Sequence, residues 1–197
     1  CYRTWMDDAL LDEHSFTSSD SMSPSTLAAT LMLEDGSSAY TGITDQADAY
    51  LASAPRLANG AIAHWGPDSY FPDYSDQIWI DSLFMFGAYL VQMYAWSGDT
   101  AYLDLYLEQY SAFSDLCRSP ADQLYHHAWD DSEGTNIPAS AVYWARGNAW
   151  VLVSAAELLN VVEPGSEAWR QIQPLYEAQA LAFLDHQELD DGLWHTV

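Results

Sequence analysis

The sequence predicts an all-α fold built from repeated αα-hairpins, and three matching segments carry this prediction. Each segment has Gly, two small or polar residues, Ala and a large aromatic residue: Gly36–Tyr40, Gly98–Tyr102 and Gly165–Trp169. The copies lie about 65 residues apart, enough for two helices and their connections, and such self-similarity is typical of repeat architectures. An apolar helical pattern ends before each Gly and another begins after it, because Gly suits a helix end and Ser or Asp a helix start.

The six predicted helices are of two alternating types. In each pair the first helix is apolar on almost every face, as an inner helix would be, and the second is amphipathic, as an outer helix would be. The predicted helices are Ser25–Leu33, Thr44–Ala52, Gln77–Trp96, Thr100–Leu116, Ala139–Leu159 and Glu167–His186. Residues 1–15 predict part of a preceding helix, and residues 1–197 together predict one domain. The loop Trp65–Ser75, rich in Pro, Asp and Tyr, predicts an insertion at the rim.

Polar side chains recur in the connections between the hairpins. A histidine follows each Gly segment in a polar loop, and an acidic or cationic segment precedes each inner helix. These positions are His64, His127 and His195, together with Asp20, Asp81 and Trp144–Arg146. Equivalent loops of stacked hairpins emerge on one side of the stack, so we expect these side chains to converge on a single rim.

The composition limits the classes of partner. The formal charge is -24 at pH 7, which makes nucleic acid and anionic membranes poor partners. Aromatic residues make up 14% of the chain, and we expect most to fill the core and the remainder to stack on sugar rings. Acidic, lysine-free composition indicates a secreted protein in mildly acidic surroundings or, alternatively, a salt-adapted one. The sequence contains no P-loop, GxGxxG, GxSxG or HExxH motif.

Cysteine content and hydropathy add little to the functional assignment. Cys1 and Cys117 leave disulfide pairing open, and no Cys/His cluster predicts structural zinc. The first twenty residues do not resemble a signal peptide, because Asp7, Asp8, Asp12 and Glu13 stand where an apolar run would be expected. The long apolar segment Ile78–Trp96 predicts a buried inner helix better than a membrane span, since Asp81 and Gln92 interrupt it.

Asp81 is the strongest catalytic candidate. It lies in the segment IWIDSLFMF, where large apolar side chains disfavour the ionised carboxyl and suit it to donate a proton near neutral pH. The alternative is that Asp81 caps the following helix. Asp20, in SSDSMSPS, is a weaker candidate because its surroundings also suit capping.

Two further segments bring together groups that suit substrate binding. Tyr125–Asp131 contains two adjacent histidines and two carboxylates, which indicate a hydrogen-bonding rim better than a metal site because adjacent His side chains rarely reach one ion. Trp144–Trp150 places Arg146 between tryptophans at the start of an inner helix, where its planar fork suits a carboxylate. The alternative for Arg146 is neutralisation of Asp130 or Asp131.

Taken in order, the motifs APRLANGAIAHW, QIWIDSLFM, LYHHAWDD and YWARGNAW resemble those of glycoside hydrolase family 105. These enzymes are the unsaturated rhamnogalacturonyl hydrolases, related to the unsaturated glucuronyl hydrolases of family 88. The resemblance runs from about Asp20 to the C-terminus, and it implies a fold belonging to the (α/α)6 barrels. Three hairpins amount to about half of such a barrel.

The resemblance also implies a reaction and the residues that perform it. The substrate is an oligosaccharide whose terminal uronic acid carries a C4=C5 double bond left by a polysaccharide lyase. Hydration of this vinyl ether releases the sugar that follows, without a metal or organic cofactor. Asp81 matches the acid/base and Asp20 the second aspartate of the catalytic pair. The substrate-binding positions implied are His64, Trp65, His127, Trp144, Arg146 and Trp150.

The partial barrel leaves other functions open. The runner-up is a non-catalytic or degenerate sugar-binding half-barrel, and a third alternative is another (α/α)6 enzyme such as an epimerase. An isolated arc is expected to expose the apolar flanks of Ile78–Trp96 and Ala139–Leu159 and to self-associate.

Overall fold

A computed structural model describes residue 4 and residues 16–36 and 38–195 of the chain. The helices are α1 (Ser23–Asp35), α2 (Thr41–Ser53), α3 (Ser82–Met85), α4 (Gly87–Ser97), α5 (Thr100–Cys117), α6 (Ala145–Val161) and α7 (Glu167–Asp185). The strands are β1 (Gln77–Trp79), β2 (Ala128–Asp130) and β3 (Thr135–Ile137), and short 3-10 turns form at Ser19–Met22 and Pro72–Tyr74.

The helices form an arc of three αα-hairpins, as the sequence predicts. The pairs are α1 with α2, α3–α4 with α5, and α6 with α7, and the first members contact one another along the inside of the arc. The three glycines of the repeat, at positions 36, 98 and 165, all have positive φ. Gly36 and Gly98 end α1 and α4 in the left-handed conformation that glycine adopts without steric cost.

A small antiparallel sheet, which the sequence analysis did not predict, lies at one end of the arc. Its order is β1-β2-β3, with Trp79 opposite Ala128 and Ala128 opposite Ile137. The predicted helix from Gln77 is therefore wrong at its start, since Gln77–Trp79 is a strand. The apolar side chains of IWI fit a buried strand as well as a helix, and no turn residue marks the change.

The inner helix of the second hairpin is interrupted at Phe86, between α3 and α4. The Ser154 hydroxyl of α6 donates a hydrogen bond to the Leu83 carbonyl, the group to which Gly87 N–H would bond in a continuous helix. A Cβ at Gly87 would lie 2.8 Å from Ser154 Oγ, so glycine permits this close approach of α4 and α6. The prediction of one helix to Trp96 is corrected to two.

The third inner helix begins later than predicted. Residues 139–144 form bends and extended backbone, and α6 begins at Ala145 with Trp144 as its N-cap residue. Consequently Trp144 belongs to the loop at the end of the arc, while Trp150 lies one and a half turns into the helix.

Aromatic residues fill the core between the two helical layers. The largest fully buried side chains include Tyr89, Tyr106, Tyr110, Phe86 and Phe113. The hydroxyls of Tyr89 and Tyr102 both donate to the Asp48 carboxylate, at 2.6 and 2.7 Å, which ties α4 and α5 to α2. Most of the aromatic content is thus structural, which agrees with the expectation from composition.

The described residues bear on the predictions made for the cysteines, for the N-terminal helix, for a membrane span and for exposed helix flanks. Cys117 is a free, fully buried thiol, while Cys1 and the helix predicted over residues 1–15 lie outside the described residues, Thr4 excepted. Within the described ranges no helix is long and apolar enough to span a bilayer. The flank of α4 predicted to be exposed is largely buried, with Tyr89, Leu90 and Val91 at 1% exposure or less.

Candidate active site

A cavity of about 360 Å³ lies where the loops at the sheet end of the arc meet the first turns of the inner helices. Seven side chains line it: Asp20, His64, Trp79, Asp81, His127, Trp144 and Arg146. Six of these, all except Trp79, belong to the recurring polar positions identified in the sequence.

Backbone hydrogen bonds hold these loops together. Ser19 N–H donates to the His64 carbonyl at 3.1 Å, and His64 N–H donates to the Gln77 carbonyl at 2.9 Å. On the other side of β1, Ile80 N–H donates to the His127 carbonyl at 3.0 Å. These backbone bonds join Ser19 to His64, His64 to Gln77, and Ile80 to His127. They therefore hold the four cavity residues Asp20, His64, Asp81 and His127 on neighbouring segments of backbone.

Of the Asp20 and Asp81 carboxylates, that of Asp81 is the more deeply buried, with its side chain 13% exposed. Although it immediately precedes α3, its side chain makes no capping hydrogen bond, which removes the capping alternative. Its Oδ2 atom is buried and has no hydrogen-bond partner among the described residues. An ionisable group beside it is His127, whose Nε2 lies 3.5 Å from this oxygen.

Asp20 is more exposed, at 48%, and pairs with a different histidine. Its carboxylate Oδ2 lies 3.5 Å from Nε2 of His64, which is itself 1% exposed. Hydrogen bonding from His64 lowers the pKa of Asp20, outweighing the partial burial that acts in the opposite direction. Asp20 is thus held as a carboxylate. The turn that contains it is capped instead by Ser21, whose hydroxyl accepts a hydrogen bond from Ser18 N–H at 3.2 Å.

Two buried serines fix the His64 ring. Ser19 Oγ lies 2.7 Å and Ser82 Oγ 2.9 Å from His64 Nδ1, and the Ser82 hydroxyl donates to Ser19 Oγ at 2.9 Å. Both serines are fully buried. Because the hydroxyls occupy Nδ1, the opposite nitrogen Nε2 faces Asp20. The imidazole also stacks on Trp79, with ring centroids 4.5 Å apart and planes 15° apart.

Arg146 supplies positive charge at the mouth of the cavity. Its guanidinium carbon lies 4.5 Å from the centroid of the Trp144 ring, a cation–π contact. It makes no ion pair with any residue in the described part of the chain. The alternative that it neutralises Asp130 or Asp131 is therefore wrong, since Asp130 bonds to Gln77 and Ser132 instead.

The segment Trp144–Asn148 is adapted to this geometry at two further positions. A Cβ at Gly147 would lie 2.5 Å from Trp144 Cε3 and 3.0 Å from Ile80 Cδ1, so glycine allows the indole to fold back over the helix. Asn148 is fully buried; its amide accepts from Tyr125 N–H at 2.8 Å and donates to the Tyr125 carbonyl at 2.9 Å. This pair of bonds anchors the loop two residues before His127.

Trp79 is a cavity residue that the sequence analysis missed. Besides stacking on His64, it lies 5.1 Å from the His127 ring, and its indole N–H donates to Gln77 Oε1 at 2.9 Å. Gln77 in turn donates to Asp130 Oδ2 at 2.8 Å. The available signal was its position two residues before Asp81, on the same side of an extended segment, but the assignment of that segment to a helix concealed it.

Three candidate residues lie outside this cavity. Trp65 makes edge-on contacts with the rings of His64 and Trp79 and supports them from behind. Trp150 stacks on Phe84 of α3, with centroids 4.6 Å apart. His195 pairs with Asp191 in the C-terminal tail, at 3.5 Å. The expected convergence of all three histidines is therefore corrected to two. Searching the described residues for a cluster of three or more metal-ligating side chains finds none.

Comparisons with known proteins bear on the fold and the family of the chain. The chain is 27% identical over 198 residues to the unsaturated rhamnogalacturonyl hydrolase YesR of Bacillus subtilis (strain 168), which covers 99% of this chain and 56% of that protein. Its fold matches a crystal structure of a possible GH105 family member from Klebsiella pneumoniae subsp. pneumoniae MGH 78578, with a TM-score of 0.86, 23% identity, and coverage of 99% and 50%.

A second fold match is the unsaturated glucuronyl hydrolase from Bacillus sp. GL1, responsible for the degradation of glycosaminoglycan, with a TM-score of 0.65, 20% identity, and coverage of 96% and 50%. The chain thus spans about half the length of these relatives.

The arc of inner and outer helices, with a cavity lined by two aspartates at one end, defines part of an (α/α)6 barrel. More particularly, the chain belongs to Glycosyl Hydrolase Family 88, whose family model matches residues 2–197.

Proposed function

We propose that this protein hydrates the C4=C5 double bond of an unsaturated uronic acid at the non-reducing end of lyase-generated oligosaccharides, and so releases the sugar that follows. The observation that carries the proposal is the Asp81 carboxyl, buried in the cavity with one oxygen that no described residue binds. An oxygen that the protein leaves unbound can contact a substrate in the cavity, and hydration of a vinyl ether requires a carboxyl at this place to act as the proton donor.

The proposed reaction begins with transfer of the Asp81 proton to C4 of the sugar. The C4=C5 electron pair forms the new C–H bond, and positive charge develops at C5 and is shared with the ring oxygen. Water then adds to C5 and returns a proton to Asp81, which regenerates the acid. The product is a hemiketal. Its ring opens by cleavage of the bond from C5 to the ring oxygen, leaving a ketone at C5 and a hemiacetal at C1 that expels the second sugar as an alcohol.

Asp20 suits the charge that develops during protonation. Since His64 lowers the pKa of its carboxyl, Asp20 is ionised more readily than an ordinary aspartate. A fixed carboxylate on the cavity wall stabilises a cationic transition state more than the neutral substrate. Two carboxyls in different environments thereby take different roles in one cavity.

Arg146 suits the carboxylate of the uronic acid. It lies at the cavity, it has no ion pair with any described residue, and the Trp144 ring beneath it holds the guanidinium in place. A planar guanidinium binds a carboxylate through two parallel hydrogen bonds. His127, 3.5 Å from Asp81, completes the wall on the side of the acid.

A turnover assay distinguishes the proposed hydration from the alternative function, a non-catalytic sugar-binding half-barrel. The 197-residue chain is incubated with an unsaturated uronyl disaccharide, and the ultraviolet absorbance of the conjugated uronate is followed. Loss of absorbance with release of the second sugar supports hydration. Binding without loss of absorbance indicates instead a sugar-binding half-barrel, and the absence of both contradicts the proposal.

We infer a pectin-type polysaccharide, such as rhamnogalacturonan, as the source of the substrate, and secretion as the route to it. The support for the first is the name of the Bacillus subtilis relative. The support for the second is the acidic, lysine-free composition. Growth on rhamnogalacturonan fragments, with fractionation of the producing cells, tests both.

A further inference from the structure

Two buried amide side chains connect the outer helix α7 to the segments that form the cavity. Gln179 of α7 and Asn148 of α6 are both fully buried, and neither lines the cavity. We propose that they form a positioning pair, which sets the separation between the cavity wall that carries His127 and the wall that carries Trp144 and Arg146. The kinetic part of the test rests on the proposed hydration reaction, and the spectroscopic part does not.

The Asn148 amide is satisfied on every side. Its Nδ2 donates to the Tyr125 carbonyl at 2.9 Å and to the Trp144 carbonyl at 3.2 Å. Its Oδ1 accepts from Tyr125 N–H at 2.8 Å and from Gln179 Nε2 at 3.2 Å. Because an amide group offers two donors and two lone pairs, all of its bonding positions are used. Asn148 therefore has a fixed orientation and joins the backbone of two separate segments.

The two segments joined by this amide carry different walls of the cavity. Tyr125 lies two residues before His127, whose Nε2 is 3.5 Å from Asp81 Oδ2. The Trp144 ring is the platform on which the Arg146 guanidinium rests. The rings of His127 and Trp144 meet edge-on, with centroids 4.9 Å apart and planes at 70°. A shift of Trp144 relative to Tyr125 would thus change the distance between the acid and the cation.

The Trp144 segment depends on such bonds because it has no regular structure of its own. Residues 139–144 form bends and extended backbone before α6 begins. The Trp144 carbonyl accepts from two groups of Asn148, its backbone N–H at 3.0 Å and its side chain. The His127 carbonyl, in contrast, also accepts from Ile80 N–H. Displacement of Asn148 would therefore move Trp144 more than the His127 loop.

Gln179 holds Asn148 from the outer layer at a cost to stability. Its Nε2 donates twice to this one residue, to the backbone carbonyl at 3.1 Å and to the side-chain oxygen at 3.2 Å. Its own Oε1 is buried and has no hydrogen-bond partner among the described residues. A buried acceptor without a donor is unfavourable, and an apolar side chain of similar length would avoid that penalty. The amide at position 179 is therefore better explained by what it positions than by stability.

Gln179→Met separates positioning from stability, because methionine keeps the length of the side chain and removes both the donors and the unpartnered oxygen. We expect its Tm to equal or exceed that of the unsubstituted chain. The kcat/KM for an unsaturated uronyl disaccharide should fall about ten- to hundredfold, with a raised KM, since the platform of Arg146 is misplaced. The matched control is Gln171→Met, the same change at an exposed position of α7, which should alter neither Tm nor kinetics.

Asn148→Asp tests the same pair from α6. Its carboxylate still accepts from Tyr125 N–H and Gln179, but it presents an oxygen to two carbonyls, so its Tm should fall. Its KM should rise as in Gln179→Met, although the two variants differ in stability. Loss of folded molecules alone lowers kcat and leaves KM unchanged. An unchanged KM in both variants would therefore show that the amides only support the fold, and would overturn the proposal.

A spectroscopic measurement separates failure of the positioning pair from failure of the reaction. Because the His127 ring lies 4.9 Å from that of Trp144, ring currents shift its proton resonances. Proton NMR should show these resonances displaced in Gln179→Met and unchanged in Gln171→Met, with those of the exposed His195 unaffected in both. If the unsubstituted chain turns over no substrate but His127 shifts in this way, the reaction is wrong and the positioning pair stands. Coincident His127 resonances in all three chains overturn the pair.

Discussion

Two aspartates in one cavity differ because their surroundings differ. Asp20 is half exposed and lies 3.5 Å from His64 Nε2, which lowers the pKa of Asp20, whereas Asp81 is mostly buried and has an oxygen without a hydrogen bond among the described residues. The buried serine pair controls this difference indirectly, since it occupies Nδ1 of His64 and leaves Nε2 toward Asp20. His64 therefore acts as a positioning residue for Asp20.

Replacing His64 should change how activity depends on pH. His64→Phe keeps a ring to stack on Trp79 but removes the group that lowers the pKa of Asp20. The pKa of Asp20 should then rise towards that of an ordinary aspartate, about 3.9. The acidic limb of kcat/KM should move to higher pH. In the unsubstituted chain, the Asp20 carboxylate stabilises the folded state above its unfolded-state pKa, and this stabilisation is lost as pH falls through its folded-state pKa. His64→Phe should diminish this contribution to stability.

The matched control is His195→Phe, because His195 also lies 3.5 Å from a carboxylate but is outside the cavity. That variant should leave the acidic limb where it is. An unmoved limb in His64→Phe would show that His64 does not govern the ionisation of Asp20.

Glu157 on α6 gives a stability prediction independent of catalysis. Burial raises the pKa of its carboxyl, and its Oε2 atom is buried without a hydrogen-bond partner among the described residues. Because the pKa of Glu157 is higher in the folded state than in the unfolded state, ionising this carboxyl lowers the free energy of unfolding. The protein therefore keeps its full stability below the unfolded-state pKa and loses stability as pH rises through the folded-state pKa. Glu157→Gln should raise Tm at pH 7 and have little effect near pH 4.

Thermal unfolding of both chains across this pH range checks the prediction, with the exposed Glu163→Gln as the control. A Tm at pH 7 that falls in Glu157→Gln would show that the ionised carboxylate has a stabilising partner.

At the scale of elements, the hairpin order, the inner and outer layers and the recurring polar positions other than His195 could be predicted from periodicity and spacing. The sheet could not, because β1 joins α3 through Ile80 and Asp81 without a Gly or Pro between them. That error concealed Trp79, whose place in the cavity depends on extended backbone. Trp150 was misplaced for a related reason: α6 begins at Ala145, so position 150 projects onto Phe84.

The start of α6 depends on the absence of a side chain at Gly147. Gly147→Ala places a methyl group 2.5 Å from the Trp144 ring, so the indole must move, and Arg146 loses its platform. We expect a loss of about 1–3 kcal/mol of stability from the overpacking. We also expect kcat/KM to fall about ten- to hundredfold from misplacement of the binding groups.

Gly42→Ala is the matched control for this helix glycine, because a Cβ at Gly42 meets no atom within 4 Å. It should keep activity and be neutral or slightly stabilising, since Ala favours helix over Gly. Denaturant unfolding and steady-state kinetics measure both variants. Full activity in Gly147→Ala would mean that the Trp144 position is not required.

At the scale of the whole molecule, the net charge of -24 opposes compaction. Only five cationic side chains offset the carboxylates, and Arg146 is not used in an ion pair with any described residue. Sodium chloride should therefore raise Tm at pH 7 by screening self-repulsion, most steeply up to about 0.15 M, where the Debye length is about 8 Å. Differential scanning calorimetry, with a neutral osmolyte of equal osmolality as the control, measures this effect. A Tm that falls with salt would indicate that net attraction dominates the charges.

The central claim concerns the Asp81 carboxyl as the proton donor, and the Asp81→Asn variant tests it most directly. Asparagine preserves the size of the side chain, so circular dichroism should show unchanged helical content. Turnover of an unsaturated uronyl disaccharide, followed by its ultraviolet absorbance, should fall by at least about 10²–10⁴-fold relative to the unsubstituted chain. The control Asp104→Asn, at an exposed position on α5, should retain full turnover. Undiminished turnover by Asp81→Asn would contradict the assignment of Asp81 as the acid.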